Sequence, residues 1–247
     1  MSGSFEEALD AVRDVEGWLT DAQARRLWES AGALPAPGRI VELGSFHGRS
    51  TIVLARAAPE GIDVVAIDPH AGTDRGPREW VMSSELGERD RRRFQANLER
   101  AGVAGRVRQV RLRSQDALGE VAGEVALLFV DGAHRYRPVC DDLLRWGGRV
   151  RPGGTLLVHD AFSSVGVTLA LLRLMVFGRN WSWRGRTGSL AEYRREPARG
   201  AARLGGALRQ LAQLPWFARN LLVKVALALR LRPVARALGH RSGAWPY

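Results

Sequence analysis

Cysteine, lysine and long apolar runs are scarce in this chain of 247 residues. Its one cysteine, Cys140, excludes a disulfide framework within the chain and fits a reducing, cytoplasmic location. No stretch of 18 or more uninterrupted apolar residues occurs, and residues 1–16 carry acids in place of an apolar segment. We therefore expect neither a membrane-spanning helix nor a secretory signal.

Positive charge is concentrated at one end of the sequence. Residues 194–247 hold ten arginines and Lys224, the only lysine, against a single acid, Glu196. This segment therefore carries +10 of the formal net charge of +11, and the rest of the chain is close to neutral. The high total charge thus gives no information about the substrate of the main body.

Short apolar runs alternate with helical patterns along the chain. The runs cover residues 39–43, 63–67, 107–112, 125–130 and 155–158. Such continuous runs are typical of strands buried on both faces of a parallel sheet. A helix between the fourth and fifth runs is predicted by the amphipathic spacing of Tyr136, Val139, Cys140, Leu143 and Leu144. The alternation predicts an α/β fold with a doubly wound, mostly parallel sheet, which binds ligands at the carboxyl ends of its strands.

Further elements are predicted on both sides of these strands. Thr20 and Gln23 have the spacing of a capping box that opens a helix reaching Ala31, among N-terminal helices within residues 1–34. The main domain is expected to span residues 1–196, and its last elements are a helix over 164–177 and a hairpin of 181–184 with 189–193.

The turn after the first strand contains two glycines. Gly44 and Gly48 allow a sharp turn and a close backbone approach, although a plain tight turn needs glycine too. Asp68 follows the second strand, where a carboxylate can accept hydrogen bonds from both hydroxyls of a ribose. Both NAD and S-adenosylmethionine (SAM) contain such a ribose. Phe46 and His47 stand where a dinucleotide needs space for its pyrophosphate, so the turn favours SAM.

Several segments resemble one enzyme family. Residues 42–50 look like the SAM-binding loop of catechol O-methyltransferase-type enzymes, and residues 114–116 resemble the segment that contacts adenine there. Residues 131–136, 152–154 and 159–160 resemble a bacterial branch that includes macrolide-sugar O-methyltransferases and enzymes of glycan and natural-product pathways.

The resemblance covers residues 17–195 and implies a class I SAM-dependent methyltransferase with a Rossmann-like fold. It implies O-methylation of a small-molecule acceptor, a sugar or natural product. The implied cofactor contacts are Glu42, Gly44, Ser45, Gly48, Ser50, Asp68, Ser114, Gln115 and Asp116.

Catalytic roles also follow from the resemblance. Asp131 matches a metal-binding aspartate after the fourth strand and Asp160 a second ligand after the fifth, so the two are expected to share Mg²⁺. Ala161 stands where the catechol enzymes place an amide ligand, so structural roles for both carboxylates remain the alternative. His134 matches the histidine of the sugar-methylating branch and is the predicted general base, with a structural role as its alternative. His47, His70 and His159 are further candidates to line the site and receive no catalytic role.

Residues 197–247 are predicted to form a basic, apolar helical tail. Residues 215–233 are too short to span a bilayer and lack a clean amphipathic face. Two interpretations remain open: contact with an anionic membrane surface, or packing against the main domain or a second copy of the chain in a homo-oligomer.

Two other function classes compete with O-methylation. One is an rRNA methyltransferase anchored by the basic tail. The near-neutral body argues against nucleic acid, as does the lack of an Asn-Pro-Pro-Tyr or Asp-Pro-Pro-Tyr segment. The other is a non-enzymatic SAM-binding protein at a membrane, for which retention of SAM without turnover is the distinguishing observation.

Overall fold

Two helices precede the sheet in the computed structural model, which describes residues 3–72 and 83–240. They are α1 (Phe5–Ala11) and α2 (Asp21–Gly32). Thr20 and Gln23 form the predicted capping box at the start of α2, each side chain accepting the backbone N–H of the other residue. These reciprocal bonds satisfy two donors that a helix start would otherwise leave unpaired.

One sheet of seven strands forms the centre of the described part of the chain. Its strands are β1 (Gly38–Leu43), β2 (Ile62–Ile67), β3 (Val107–Val110), β4 (Val125–Val130), β5 (Val150–Val158), β6 (Ser182–Thr187) and β7 (Leu190–Arg194). Their order is β3-β2-β1-β4-β5-β7-β6; β1 to β5 run parallel, and β7 is antiparallel to β5 and β6. The predicted doubly wound, mostly parallel sheet and its terminal hairpin are confirmed.

Helices on both faces of the sheet produce two apolar cores. The helices between the strands are α3 (Arg49–Ala57), α4 (Ser84–Arg100), α5 (Tyr136–Arg145) and α6 (Val165–Leu174). Successive strand side chains point to opposite faces. Ile40 and Leu127 therefore pack in the core with α2 and α3, while Val41 and Leu128 pack in the core with α5 and α6.

Several predicted boundaries shift. β3 ends at Val110, two residues earlier than predicted, and α6 is shorter than 164–177 at both ends. β5 begins at Val150, five residues earlier, because a register shift lets Val150 pair with Val125 ahead of the Leu127–Thr155 pair. Such an irregularity accommodates a Pro-Gly-Gly segment within a strand.

The predicted helical tail consists of α7 (Gly200–Leu211), α8 (Leu214–Ala228) and α9 (Arg232–Ala237), while residues 241–247 lie outside the described residues. It contacts the β6–β7 hairpin. The buried Tyr193 hydroxyl donates to Gln210 Oε1 at 3.0 Å, and the Arg186 guanidinium lies 3.9 Å from the centroid of the Trp216 ring. None of the helices in residues 3–72 and 83–240 is long and apolar enough to cross a membrane.

Candidate active site

A cavity of about 870 Å³ opens at the carboxyl ends of β1 to β4. This is the edge at which doubly wound sheets bind ligands, and the volume is within the range of small-molecule sites. Two predicted catalytic residues, Asp131 and His134, line it. So do six predicted cofactor residues: Gly44, Ser45, Ser50, Asp68, Ser114 and Gln115. Glu42, Gly48 and Asp116 do not line the cavity, so their contact with cofactor stays a prediction.

The glycine turn brings the backbone close to a neighbouring strand end. Gly44 has φ +87°, and a Cβ there would overlap the carbonyl oxygen of Asp131. Gly48 also has φ +87° and begins α3 without a side-chain cap. Only glycine adopts this backbone without strain, so the turn can lie directly against the β4 end and present its amides to a ligand.

Glu42 lies beneath this turn instead of on the cavity wall. Its side chain is fully buried and accepts hydrogen bonds from the hydroxyls of Ser50 and Thr51 in the first turn of α3. Burial, reinforced by the charges of Asp131 and Asp68, raises its pKa to about 8 in spite of the two hydroxyl donors. Glu42 therefore ties β1 to α3 and positions the turn from below.

Asp68 binds the turn from the side. Its Oδ2 accepts the backbone N–H groups of Ser45 and Phe46 at 3.0 and 2.9 Å, and its Oδ1 accepts that of His70 at 2.7 Å. A carboxylate has about four lone-pair sites in all. Three are used within the protein, so Asp68 holds the turn in place and has room for about one bond to a ligand hydroxyl.

The segment after β3 is fixed by α5. Ser114 Oγ donates to Asp142 Oδ1, and Trp146 Nε1 donates to the Ser114 carbonyl at 2.9 Å. Burial raises the pKa of Asp142 to about 6, although the Ser114 hydroxyl lowers it. Asp142 also lines the cavity, whereas Asp116 is exposed and begins a 3₁₀ turn.

His134 pairs with the buried carboxylate that follows β5. Its Nε2 lies 2.7 Å from Asp160 Oδ2, and the exposed fraction of the two side chains is 40% and 6%. Burial alone would lower the pKa of His134, but the contact with Asp160 and the charge of Asp131 raise it. The arrangement gives a partly exposed imidazole at the cavity wall with a carboxylate behind it.

A second pair lies alongside. His159 Nδ1 is 3.0 Å from Asp131 Oδ1 and 3.8 Å from Asp160 Oδ1, and the His159 side chain is only 2% exposed. Burial would lower the pKa of His159, but the two carboxylates raise it to about 9. The two carboxylates therefore favour the protonated form of His159.

These pairs do not fit the predicted sharing of Mg²⁺ by Asp131 and Asp160. Each carboxylate has an imidazole as its partner, and Asp160 is almost completely buried. A hard cation would have to compete with one or two imidazolium charges for the same oxygens. Residues 3–72 and 83–240 contain no group of three His, Cys, Asp or Glu side chains that could hold a metal ion. Ion pairing with histidine argues against the two aspartates as metal ligands, and that role stays a prediction.

The sequence interpretation missed Asp142 as a residue of this edge and gave His159 no catalytic role. Asp142 is part of the helical pattern of α5, so its position indicates a helix surface, and its bond to Ser114 spans 28 positions. His159 directly precedes Asp160 at a strand end, which was a usable signal. His47 and His70 support the turn: His47 Nε2 lies 2.9 Å from Asp90, and His70 Nε2 is 3.0 Å from the Phe46 carbonyl oxygen.

A comparison with known proteins finds a methyltransferase that is similar to part of this chain. A curated relative, catechol O-methyltransferase of Mycobacterium tuberculosis, is 32% identical over 154 residues, which are 62% of this chain and 60% of that protein. The chain thus matches less than two thirds of that relative's length.

Solved structures share the fold. Rv0187 from MTB, solved with bound cofactor, has a TM-score of 0.56 at 23% identity and covers 78% of this chain and 88% of its own. The O-methyltransferase TomG from Streptomyces achromogenes, solved with SAM, has a TM-score of 0.51 at 21% identity, covering 77% and 86%. Residues 41–161, from β1 to the turn after β5, match the family described as a methyltransferase domain. The chain therefore has the fold of the class I methyltransferases, and its residues 41–161 are similar to a methyltransferase domain.

Proposed function

We propose that this protein is a SAM-dependent O-methyltransferase that uses His134 as general base on a small-molecule hydroxyl. The observation that carries the proposal is the His134–Asp160 pair, 2.7 Å apart, on the cavity that also contains the glycine turn. The name of the mycobacterial relative, a catechol O-methyltransferase, and the SAM complex of TomG support this reaction and this cofactor.

The cavity fits a cofactor of this type. Gly44 and Ser45 offer a close backbone surface, Asp68 has room for about one hydroxyl bond, and Gln115 lies at the end of β3. When bound, SAM supplies an electrophilic methyl group. The chain's contribution is to hold the acceptor hydroxyl in line with that methyl group and to remove its proton.

Asp160 gives His134 a defined orientation. The carboxylate of Asp160, 2.7 Å from Nε2, favours the tautomer that carries its proton on Nε2. The other ring nitrogen, Nδ1, is then the basic one and can accept the proton of the acceptor hydroxyl. Asp160 raises the pKa of His134, which makes the imidazole a stronger base. The neutral imidazole that can accept a proton therefore predominates only at a higher pH than for an ordinary histidine. Turnover is therefore expected to rise with pH beyond the ordinary histidine range.

A sugar or glycosylated natural product is the proposed acceptor. The sequence resemblance to the macrolide-sugar branch supports this class. The cavity wall adds a further argument: Trp18 and Phe46 line it, with ring centroids 5.3 Å apart. Adjacent aromatic rings offer a flat apolar surface suited to the apolar face of a sugar or to an aromatic ring.

The test compares His134→Ala with wild type and with His240→Ala, which removes a histidine from the tail. Release of S-adenosylhomocysteine is measured over a panel of sugars, glycosylated products and catechols, and SAM affinity by calorimetry. Loss of a positioned base costs about 10²–10⁴-fold in rate. We expect that loss in His134→Ala alone, together with loss of the ascending limb of the pH profile and near-normal SAM affinity.

The same assays are run in excess chelator. Because both carboxylates are paired with histidines, turnover should persist without a divalent cation. Full turnover of His134→Ala would contradict the base assignment, and a strict Mg²⁺ requirement would contradict the ion-pair interpretation. SAM binding without turnover on any acceptor would favour a non-enzymatic role.

We also propose that the tail contacts an anionic membrane surface. Leu204, Leu208, Leu222, Val225 and Leu229 are exposed on α7 and α8 or directly after α8. They lie within the segment that carries +10 of the net charge. Exposed apolar side chains among arginines are typical of surfaces that bind anionic lipid.

A further inference from the structure

The helix α8 of the tail reaches the segment that follows β5. Its buried residues Asn220, Val223 and Ala226 face the rest of the protein. On the same side, Lys224 Nζ donates to the carbonyl oxygen of Ser163 at 2.9 Å and lies 3.4 Å from Ser163 Oγ. Ser163 is fully buried, so the ammonium group of Lys224 is anchored to the interior.

The segment that Lys224 contacts is a strained turn. Asp160 and Phe162 have φ values of +55° and +56°, which are unfavourable for residues other than glycine. The carbonyl of Asp160 accepts the backbone N–H groups of Ser163 and Ser164 at 3.1 and 3.0 Å. Strained backbone of this kind persists only where its surroundings hold it, and Lys224 is one of those restraints.

Charge links the same residues. Burial alone would raise the pKa of Asp160, but the contact with His134 and the charges of His159, His134 and Lys224 hold it well below its usual range. Burial lowers the pKa of Lys224, and the charge of Asp160 opposes that change. A buried carboxylate is stable only when it is paired, so the ammonium group favours the ionised form that faces His134.

We propose that Lys224 is a positioning residue of the methyl-transfer site, which fixes the turn of residues 160–164 so that Asp160 holds His134. The tail is then a component of the site through α8. This inference rests on the proposed function, because it gives His134 its role as base.

The residue type fits this task. Lys224 is the single lysine among 37 basic residues, and it stands where a compact ammonium group donates to two oxygens of one residue. An arginine presents a wide, planar fork of donors instead. Arginine at this position would keep the charge and lose part of the fit.

The first experiment follows the imidazole N–H signal of His134 in protein with ¹⁵N-labelled histidine, assigned by its loss in His134→Gln. The variants are Lys224→Met, Lys224→Arg and the control Arg209→Met, which removes one charge from an exposed position of α7. We expect Lys224→Met to speed exchange of this proton with solvent at least tenfold at unchanged SAM affinity. Lys224→Arg, which keeps the charge and loses part of the fit, should restore the protection only in part, and Arg209→Met should match wild type.

Two results would overturn the proposal: wild-type protection in folded Lys224→Met, or loss of SAM binding in parallel with loss of the signal, which indicates general unfolding of the site. If Lys224→Met does not fold, Asp160→Asn decides the matter. Acylation of the single lysine, followed by mass spectrometry, should be faster in Asp160→Asn than in wild type, and an equal rate would contradict the coupling. A failure of His134 as base appears in the turnover of His134→Ala and leaves these measurements as they are.

Discussion

Burial controls the charge of the acids around the glycine turn. Glu42 and Asp142 both have a pKa raised by burial, to about 8 and about 6, and both are held by hydroxyl donors. Asp160 is also buried, yet its pKa is lowered because cations surround it. Burial therefore favours the neutral form of Glu42, whereas the neighbouring cations favour the ionised form of Asp160.

Glu42→Gln tests whether burial raises the pKa of the glutamate near the end of β1. The pKa of Glu42 is raised from 4.5 to about 8 in the folded state, so the folded protein binds the proton more tightly than the unfolded chain does. Its contribution to stability is fully present below pH 4.5 and is lost as the pH rises through about 8. The glutamine side chain of the variant stays neutral throughout, so the variant should gain stability relative to wild type as the pH rises.

The measurement is urea unfolding of both proteins at several values between about pH 5 and pH 8. Asp142 and His159 titrate in both proteins, so the difference between the two curves isolates Glu42. Two parallel curves would show that the Glu42 pKa is ordinary in the folded protein.

At the scale of elements, the turn between β1 and α3 depends on a glycine that the sequence already indicated. Gly44→Ala introduces a Cβ that overlaps the Asp131 carbonyl oxygen at φ +87°. We expect destabilisation by roughly 1–3 kcal/mol and weaker SAM binding, because both the strain and the overlap shift the turn. The matched control is Gly105→Ala, where a Cβ meets no atom within 4 Å.

Thermal unfolding and SAM calorimetry are measured on both variants. Gly105→Ala should keep wild-type stability and affinity. Equal behaviour of the two variants would show that the turn tolerates a side chain and would remove Gly44 from the site.

The sequence predicts an element well when the residues that form it lie close together along the chain. The strands at 39–43, 63–67 and 125–130 were found because a buried strand is a continuous apolar run, visible within a few residues. The strand-end positions of Asp68, Asp131 and His134 followed from that pattern and the resemblance. The contact of Lys224 with the turn after β5 could not be predicted. Its bond to Ser163 joins positions 61 apart, and nothing in either segment of the sequence indicates the other.

For the molecule as a whole, the tail combines two surfaces with different surroundings. One side of α8 packs inward through Val223 and Lys224, as a helix of the main body would. The opposite side exposes Leu222 and Val225. Truncation after residue 196 therefore removes both surfaces at once, and substitutions confined to the exposed side are needed to examine membrane contact.

Exposed arginines and apolar residues of the tail can be changed without touching its packed side. Arg232 and Arg236 are exposed on α9, and each basic residue near an anionic lipid surface contributes about 1 kcal/mol. Wild type should co-sediment with vesicles containing phosphatidylserine, less so at high salt, and not with phosphatidylcholine vesicles. The double substitution to glutamine should weaken binding on the order of 30-fold. Leu222→Ser with Val225→Ser should weaken it as well, and SAM affinity should stay unchanged in both variants.

Equal binding to both kinds of vesicle, or none, would contradict the proposal. Sedimentation equilibrium at twice the chain mass, abolished by Leu222→Ser, would assign the exposed face to a second copy of the chain instead.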